Sequence, residues 1–217
     1  MGVWTNYISA AILYNLQILP DVLLCGIIIL GILLANQSVL VLGAVAIGSQ
    51  LLTSTVGRLM LKYAPDGAVI RSSLDMCTGG YIGKSWERLL GMDANDMWSP
   101  RAPSLYMSAL AFFVGWGGAL QQLYKEEIDA GIVSRSTVTA CIVIMGITLL
   151  AAIVARYAAG CETIMNMVGG LVMGGVIGYF LAIALGFATD RRATNIWGIP
   201  LLRDRINSGA AVYVCPK

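Results

Sequence analysis

The sequence predicts an all-α fold, a polytopic bundle of transmembrane helices, and three observations predict it. Of the 217 residues, 58% are apolar and only 12% are charged, with a mean hydropathy of +0.77; soluble domains carry about 25% charged residues. The apolar residues gather into runs near the roughly 20 residues that a helix needs to cross a bilayer. Between the runs lie polar stretches, and hydrocarbon leaves any backbone group unsatisfied unless the segment is helical or part of a closed barrel. The 14 basic and 12 acidic side chains cannot cover a water-facing surface. A soluble enzyme and an extended disordered chain are therefore excluded, leaving a single integral membrane domain over residues 1–217.

The elements follow in order. Val3–Leu19 is uncharged but mixed, with Asn6, Asn15 and Gln17 among apolar residues, which suits an N-terminal amphipathic helix in the membrane interface; crossing the bilayer would make it a sixth span. The first basic residue of the chain is Arg58, so this segment lacks the basic start of a cleaved signal peptide. Ile18–Ala35 is the first of five expected spans, interrupted near its start by Pro20 and Asp21. Val39–Leu61 is the second, ending in Arg58 and Lys62. Residues 62–102 form a long polar loop, with a turn at Ala64-Pro65-Asp66-Gly67 and a helical turn or two at Ser85–Leu90. Pro103–Leu123 is the third span, opening at Ser104, where proline suits the first turn and serine caps it. Lys125–Asp129 reads as a solvated loop or helix end. Ser136–Tyr157 is the fourth span, closed by Arg156. Ile164–Ala188 is the fifth, stopped by Asp190-Arg191-Arg192. An extramembrane tail fills 190–217, with Ile196–Leu202 resting on the membrane surface. Gly170, Gly174 and Gly178 form a small-residue ridge along the fifth span, which lets another helix pack closely; packing inside the bundle is the expected use. Lys and Arg divide seven to seven between the two faces, so the positive-inside rule gives no orientation.

The chain contains no histidine. That removes imidazole as metal ligand, general base or phosphoryl acceptor. The five cysteines, Cys25, Cys77, Cys141, Cys161 and Cys215, are scattered and make no zinc or iron–sulfur motif; Cys25 and Cys141 read as small core residues. No metal or cofactor is expected. A net charge of +2 offers no basic stripe for nucleic acid.

Five spans bring the end of the second (Lys62), the start of the third (Pro103-Ser104-Leu105-Tyr106) and the fourth-to-fifth turn (Arg156 to Asn166) to one membrane face. In order and spacing these stretches resemble the type 2 phosphatidic-acid phosphatase family, membrane relatives of the vanadium haloperoxidases. That family carries K-x6-R-P after one helix, P-S-G-H opening the next, and S-R-x5-H-x3-D at the following turn. Here Pro103-Ser104-Leu105-Tyr106 stands where P-S-G-H would be. Ala155-Arg156, five residues, Glu162, three residues and Asn166 keep the spacing of the third motif. The first motif fits worst, since Val69-Ile70 and then Arg71 follow Lys62. The resemblance covers residues 58–180, including the glycine-rich run after Met167.

The resemblance implies a cationic phosphate cradle at Lys62, Arg71, Ser104 and Arg156, and catalytic groups at positions 106, 162 and 166. In the family one histidine attacks phosphorus, the other protonates the leaving oxygen, and an aspartate orients the nucleophile. This chain has Tyr106, Glu162 and Asn166 there. A carboxylate at the nucleophile position repels a phosphate dianion, and a phenol with a pKa near 10 is a poor acid for the step. The expectation is a relic site without catalysis, in which Glu162 replaces the phosphate as partner of Arg156. Taken singly, Arg156 is also an ordinary snorkelling helix-end cation, and Glu162 and Asn166 are ordinary turn residues. The expected function is a structural or scaffolding subunit of a larger membrane assembly, organellar or in a virion membrane, contacting lipids and other protein subunits. The rivals are an active lipid-phosphate or polyprenyl-diphosphate phosphatase with altered chemistry, and a lipid-binding or transport bundle lined by Gln50, Ser54, Thr55 and Ser108.

Overall fold

A computed structural model describes residues 2–63, 103–131 and 134–196, and every regular element among them is helical. The helices are α1 (Gly2–Leu33), α2 (Gln37–Tyr63), α3 (Leu105–Leu123), α4 (Lys125–Asp129), α5 (Arg135–Ala158) and α6 (Ile164–Ala188). Three are long and apolar enough to cross a membrane: α2 over Gln37–Val56, α5 and α6; Ile18–Leu33 of α1 is a shorter apolar stretch.

The expected boundaries hold closely for the last three long helices, and that of α6 is unchanged. The N-terminal segment differs. The expected interfacial helix and first span are one helix that runs through Pro20 without a break. Proline removes one backbone donor, but in membrane helices the freed carbonyl is readily satisfied by neighbours, so the break is not obligatory. The turn and short helix expected at 64–67 and 85–90 lie outside the described residues.

α3 is the axis of the bundle. Tyr106, Met107, Ser108, Phe112, Trp116, Ala119 and Leu120 are all buried along it, and its most extensive neighbour is α6. The two run parallel in a fixed register. A methyl group added to Gly170, Gly174 or Gly178 would stand 2.3, 2.1 or 2.2 Å from the carbonyl oxygen of Ser104, Ser108 or Phe112. Each contact steps four residues on both helices, so the glycine ridge faces inward and lets the two backbones touch. Gly115 answers from α3, where an added methyl would meet the Gly175 carbonyl at 2.2 Å. The ridge is therefore used within the chain.

α2 runs antiparallel to α3 and docks on it through polar groups. Thr53 and Ser108, both buried, share a hydroxyl hydrogen bond of 3.0 Å, and Thr53 also donates to the Ser49 carbonyl. The Gln50 amide, oriented to suit both neighbours, donates to the Leu105 carbonyl at 3.1 Å and accepts from the Ala109 N–H at 3.3 Å. Apolar side chains instead populate the outside. Val143, Ile144, Ile147, Leu150 and Val154 of α5 and Val172, Val176 and Phe180 of α6 are exposed, the inverse of a water-soluble helix. Cys25 and Cys141 are exposed free thiols on such faces, which corrects their expected core placement. Both suit an apolar setting, and hydrocarbon supplies one as well as a protein interior does.

The two ends of the bundle are built differently. At the end where α3 and α6 finish, Asn36 caps α2 by accepting from the N–H groups of Ser38 and Val39. The segment after α6 folds back over this end. Ser38 donates to the Arg192 carbonyl at 2.7 Å, and Asn36 donates to the Ile196 carbonyl at 3.3 Å. Glu127 of α4, expected in a solvated segment, is 1% exposed and pairs with Arg191 at 3.2 Å. The Tyr124 hydroxyl donates to the Arg191 carbonyl at 2.7 Å.

Candidate functional site

The opposite end gathers five of the positions singled out by the sequence. α3 begins there because Ser104 is its N-cap, its hydroxyl accepting from the Met107 N–H at 3.1 Å. The Ser104 N–H donates to the Asn166 carbonyl at 2.9 Å, which ties the start of α3 to the first turn of α6. Tyr106, in the first turn of α3, is 2% exposed.

The α5–α6 turn supplies the charges. α5 ends in a Schellman motif: Gly160 has φ +67°, its N–H donates to the Tyr157 carbonyl, and the Cys161 N–H reaches back to the Arg156 carbonyl. Glycine is suited to that left-handed position. The reversal carries Glu162 back over the last turn of α5, and Thr163 then caps α6 by accepting from the Asn166 N–H at 3.3 Å. Six residues apart in sequence, Arg156 and Glu162 thus meet. Arg156 Nη2 and Nε lie 2.5 and 3.0 Å from the same oxygen, Glu162 Oε1. Both side chains are nearly buried, at 9% and 11% exposure. The guanidinium also lies over the Tyr106 ring, 4.4 Å from its centroid.

Tyr106, Arg156 and Glu162 form one stack, in which a buried cation is neutralised on one side by a carboxylate and on the other by an aromatic face. Glu162 Oε2 is buried and has no hydrogen-bond partner among the described residues. The pairing of Arg156 with Glu162 agrees with the sequence expectation. Ser104 and Asn166 contribute backbone and capping contacts. Lys62 lies in the last turn of α2; its side chain and the whole of Arg71 fall outside the described residues.

Sequence reasoning missed two features here. Asp21 of α1, read only as a helix interruption, brings a second carboxylate within electrostatic reach of Tyr106. Cys161 is disulfide-bonded, and nothing in its spacing announced a partner. Chemically the stack sets a buried cation between a carboxylate and an aromatic face. Among the described residues no group of histidine, cysteine or acidic side chains could hold a metal. Comparison with known protein families, with curated proteins and with solved structures finds no match.

Proposed function

We propose that this chain is a non-catalytic integral membrane subunit, a bundle of five spans that keeps the layout of a lipid-phosphatase-like site and serves as scaffold in a larger membrane assembly. The observation that carries the reading is the Arg156–Glu162 pair on the Tyr106 ring. The cation that would receive a phosphate already has an internal anion, and the residues at the catalytic positions lack the required acid–base chemistry.

The five-span count is supported by the register of α3 against α6. A helix that touches α6 from Ser104–Gly170 to Phe112–Gly178 shares its depth, so α3 crosses wherever α6 does. Its lower apolar content is acceptable because most of its residues are buried against neighbouring helices. Ile18–Leu33 of α1 completes the set. A transport reading draws less support, because Gln50, Thr53 and Ser108 bond across helices and Thr55 bonds to its own helix at Leu51.

The test is turnover by purified protein in lipid nanodiscs, with phosphatidic acid and a polyprenyl diphosphate as substrates. The expected result is no phosphate release above the protein-free control. Release that disappears in Arg156→Ala would establish the rival reading, an active lipid-phosphate phosphatase.

A further inference from the structure

We propose that residues 189–196 form a strained strap that opens as one unit and thereby releases the α1–α2 turn from the end of α3. Among the described residues, three that are not glycine hold positive φ: Ala35 at +47°, Asp190 at +48° and Arg191 at +66°. Ala35 lies in the α1–α2 turn and the other two lie in the strap, so all three fall at one end of the bundle, in the two segments that clasp each other. The helix reversal at the opposite end places Gly160 in the left-handed position instead. A Cβ makes that conformation sterically costly, and an aspartate tolerates it better than an alanine or an arginine. Such strain persists where surrounding contacts over-determine it, and it concentrates in segments that switch.

Four side chains from other elements supply those contacts. Ser38 of α2 donates to the Arg192 carbonyl at 2.7 Å, and Asn36 donates to the Ile196 carbonyl at 3.3 Å. Tyr124, at the end of α3, donates to the Arg191 carbonyl at 2.7 Å, and Glu127 of α4 pairs with the Arg191 side chain at 3.2 Å. Within the strap, Thr194 donates to the same Arg191 carbonyl at 3.2 Å and lies 3.2 Å from the Tyr124 hydroxyl. The strap therefore bonds both the α1–α2 turn and the α3–α4 junction. Asn36 caps α2 with its other amide atom, accepting from the Ser38 and Val39 N–H groups, so α2 keeps its cap when the strap leaves.

The contacts that close the strap are polar, and Ser38, Glu127 and Thr194 are buried in making them. The layer further into the bundle is apolar, with Leu42, Trp116, Leu120, Leu123 and Ala182 in one cluster. Polar groups freed at this end exchange protein hydrogen bonds for water, so opening has a small net cost, and relief of two left-handed residues lowers it further. Local openings arise in segments held by few apolar contacts, which sets the strap apart from the layer it covers. Whatever binds residues 189–196 in the open form shifts the balance toward a freed α1–α2 turn. The strap has this property whether or not the Arg156 end retains phosphatase chemistry.

The test is hydrogen exchange of the full-length protein in lipid nanodiscs, read by mass spectrometry with residue-resolving fragmentation. The amides of Arg191, Arg192, Asn195 and Ile196, all bonded in the closed form, are expected to share one protection level. Ser38→Ala and Tyr124→Phe, which remove contacts to two different elements, should each lower that level at all four amides by roughly three- to tenfold, the worth of one hydrogen bond. Asp190→Gly should raise it about fivefold by relieving the left-handed strain. Protection along residues 107–120 of α3 should stay unchanged in all three variants. Changes confined to the amides beside each lost contact would overturn the single opening unit. Protection that Asp190→Gly leaves unchanged or lowers would overturn the strain. A parallel fall along α3 would show that the strap has no opening of its own, and would overturn the proposal as a whole.

Discussion

Arg156 and Glu162 leave water together, and each is tolerable only because of the other. Breaking such a pair strands one buried charge, at a cost of about 3–5 kcal/mol. Glu162→Gln is accordingly expected to lower the thermal unfolding midpoint in detergent sharply, while Arg156→Met combined with Glu162→Leu recovers most of the loss. Tyr106→Leu removes the aromatic face over which Arg156 lies and should cost about 2 kcal/mol from the cation–π contact, because the site is desolvated. At Gly160 an added methyl meets nothing within 4 Å, but φ is +67°, so Gly160→Ala tests backbone strain alone. The expected loss is about 1–2 kcal/mol, read in the same unfolding assay. The Arg156–Glu162 pair was legible in the sequence because both residues flank one helix–helix turn, and a turn brings sequence neighbours together. The Glu127–Arg191 pair was not, because its partners are 64 residues apart and only the packing of α4 against the end of α6 joins them.

Among the elements, the α3–α6 pair is the one whose packing can be read residue by residue. At Gly174 any side chain must push the Ser108 carbonyl aside, since an added methyl would stand 2.1 Å away. Gly174→Ala is expected to separate the helices and to cost several times more than Gly118→Ala. An added methyl at Gly118 meets nothing within 4 Å, so that change should stabilise by up to about 1 kcal/mol through helix propensity. Chemical unfolding of the two variants in mixed micelles checks the contrast. The apolar runs of α5 and α6 made their boundaries legible, because a helix in contact with lipid must be apolar along its whole length. α3 was read in the same way from an apolar, glycine-rich run, with Ser104 marking its start. In its Gly-Trp-Gly-Gly-Ala-Leu-Gln-Gln stretch, Trp116, Ala119 and Leu120 are buried while Gln121 and Gln122 are exposed. The continuity of α1 through Pro20 was not legible, since a single proline is compatible with both a break and a tolerated interior position.

The whole molecule is a bundle with two unlike ends. One carries the Tyr106–Arg156–Glu162 stack, and the other is closed by the segment after α6, latched to Asn36, Ser38, Tyr124 and Glu127. Burial pushes the Tyr124 hydroxyl above its ordinary pKa. Only the protonated phenol can donate to Arg191, so this contribution is complete below the unfolded value of about 10 and is lost as pH rises through the higher folded value. Unfolding followed from pH 8 to 12 is expected to show an alkaline loss of stability that Tyr124→Phe reduces. The proposed scaffold function belongs to this scale, and the observation behind it is that Arg156 already holds an internal counter-ion in Glu162. The most direct test is the mass of the particle containing this chain after its native membrane is solubilised in mild detergent, with lipid-phosphatase activity assayed in the same fraction. The account predicts a large, inactive assembly with several other polypeptides; a monomer that hydrolyses phosphatidic acid would contradict it.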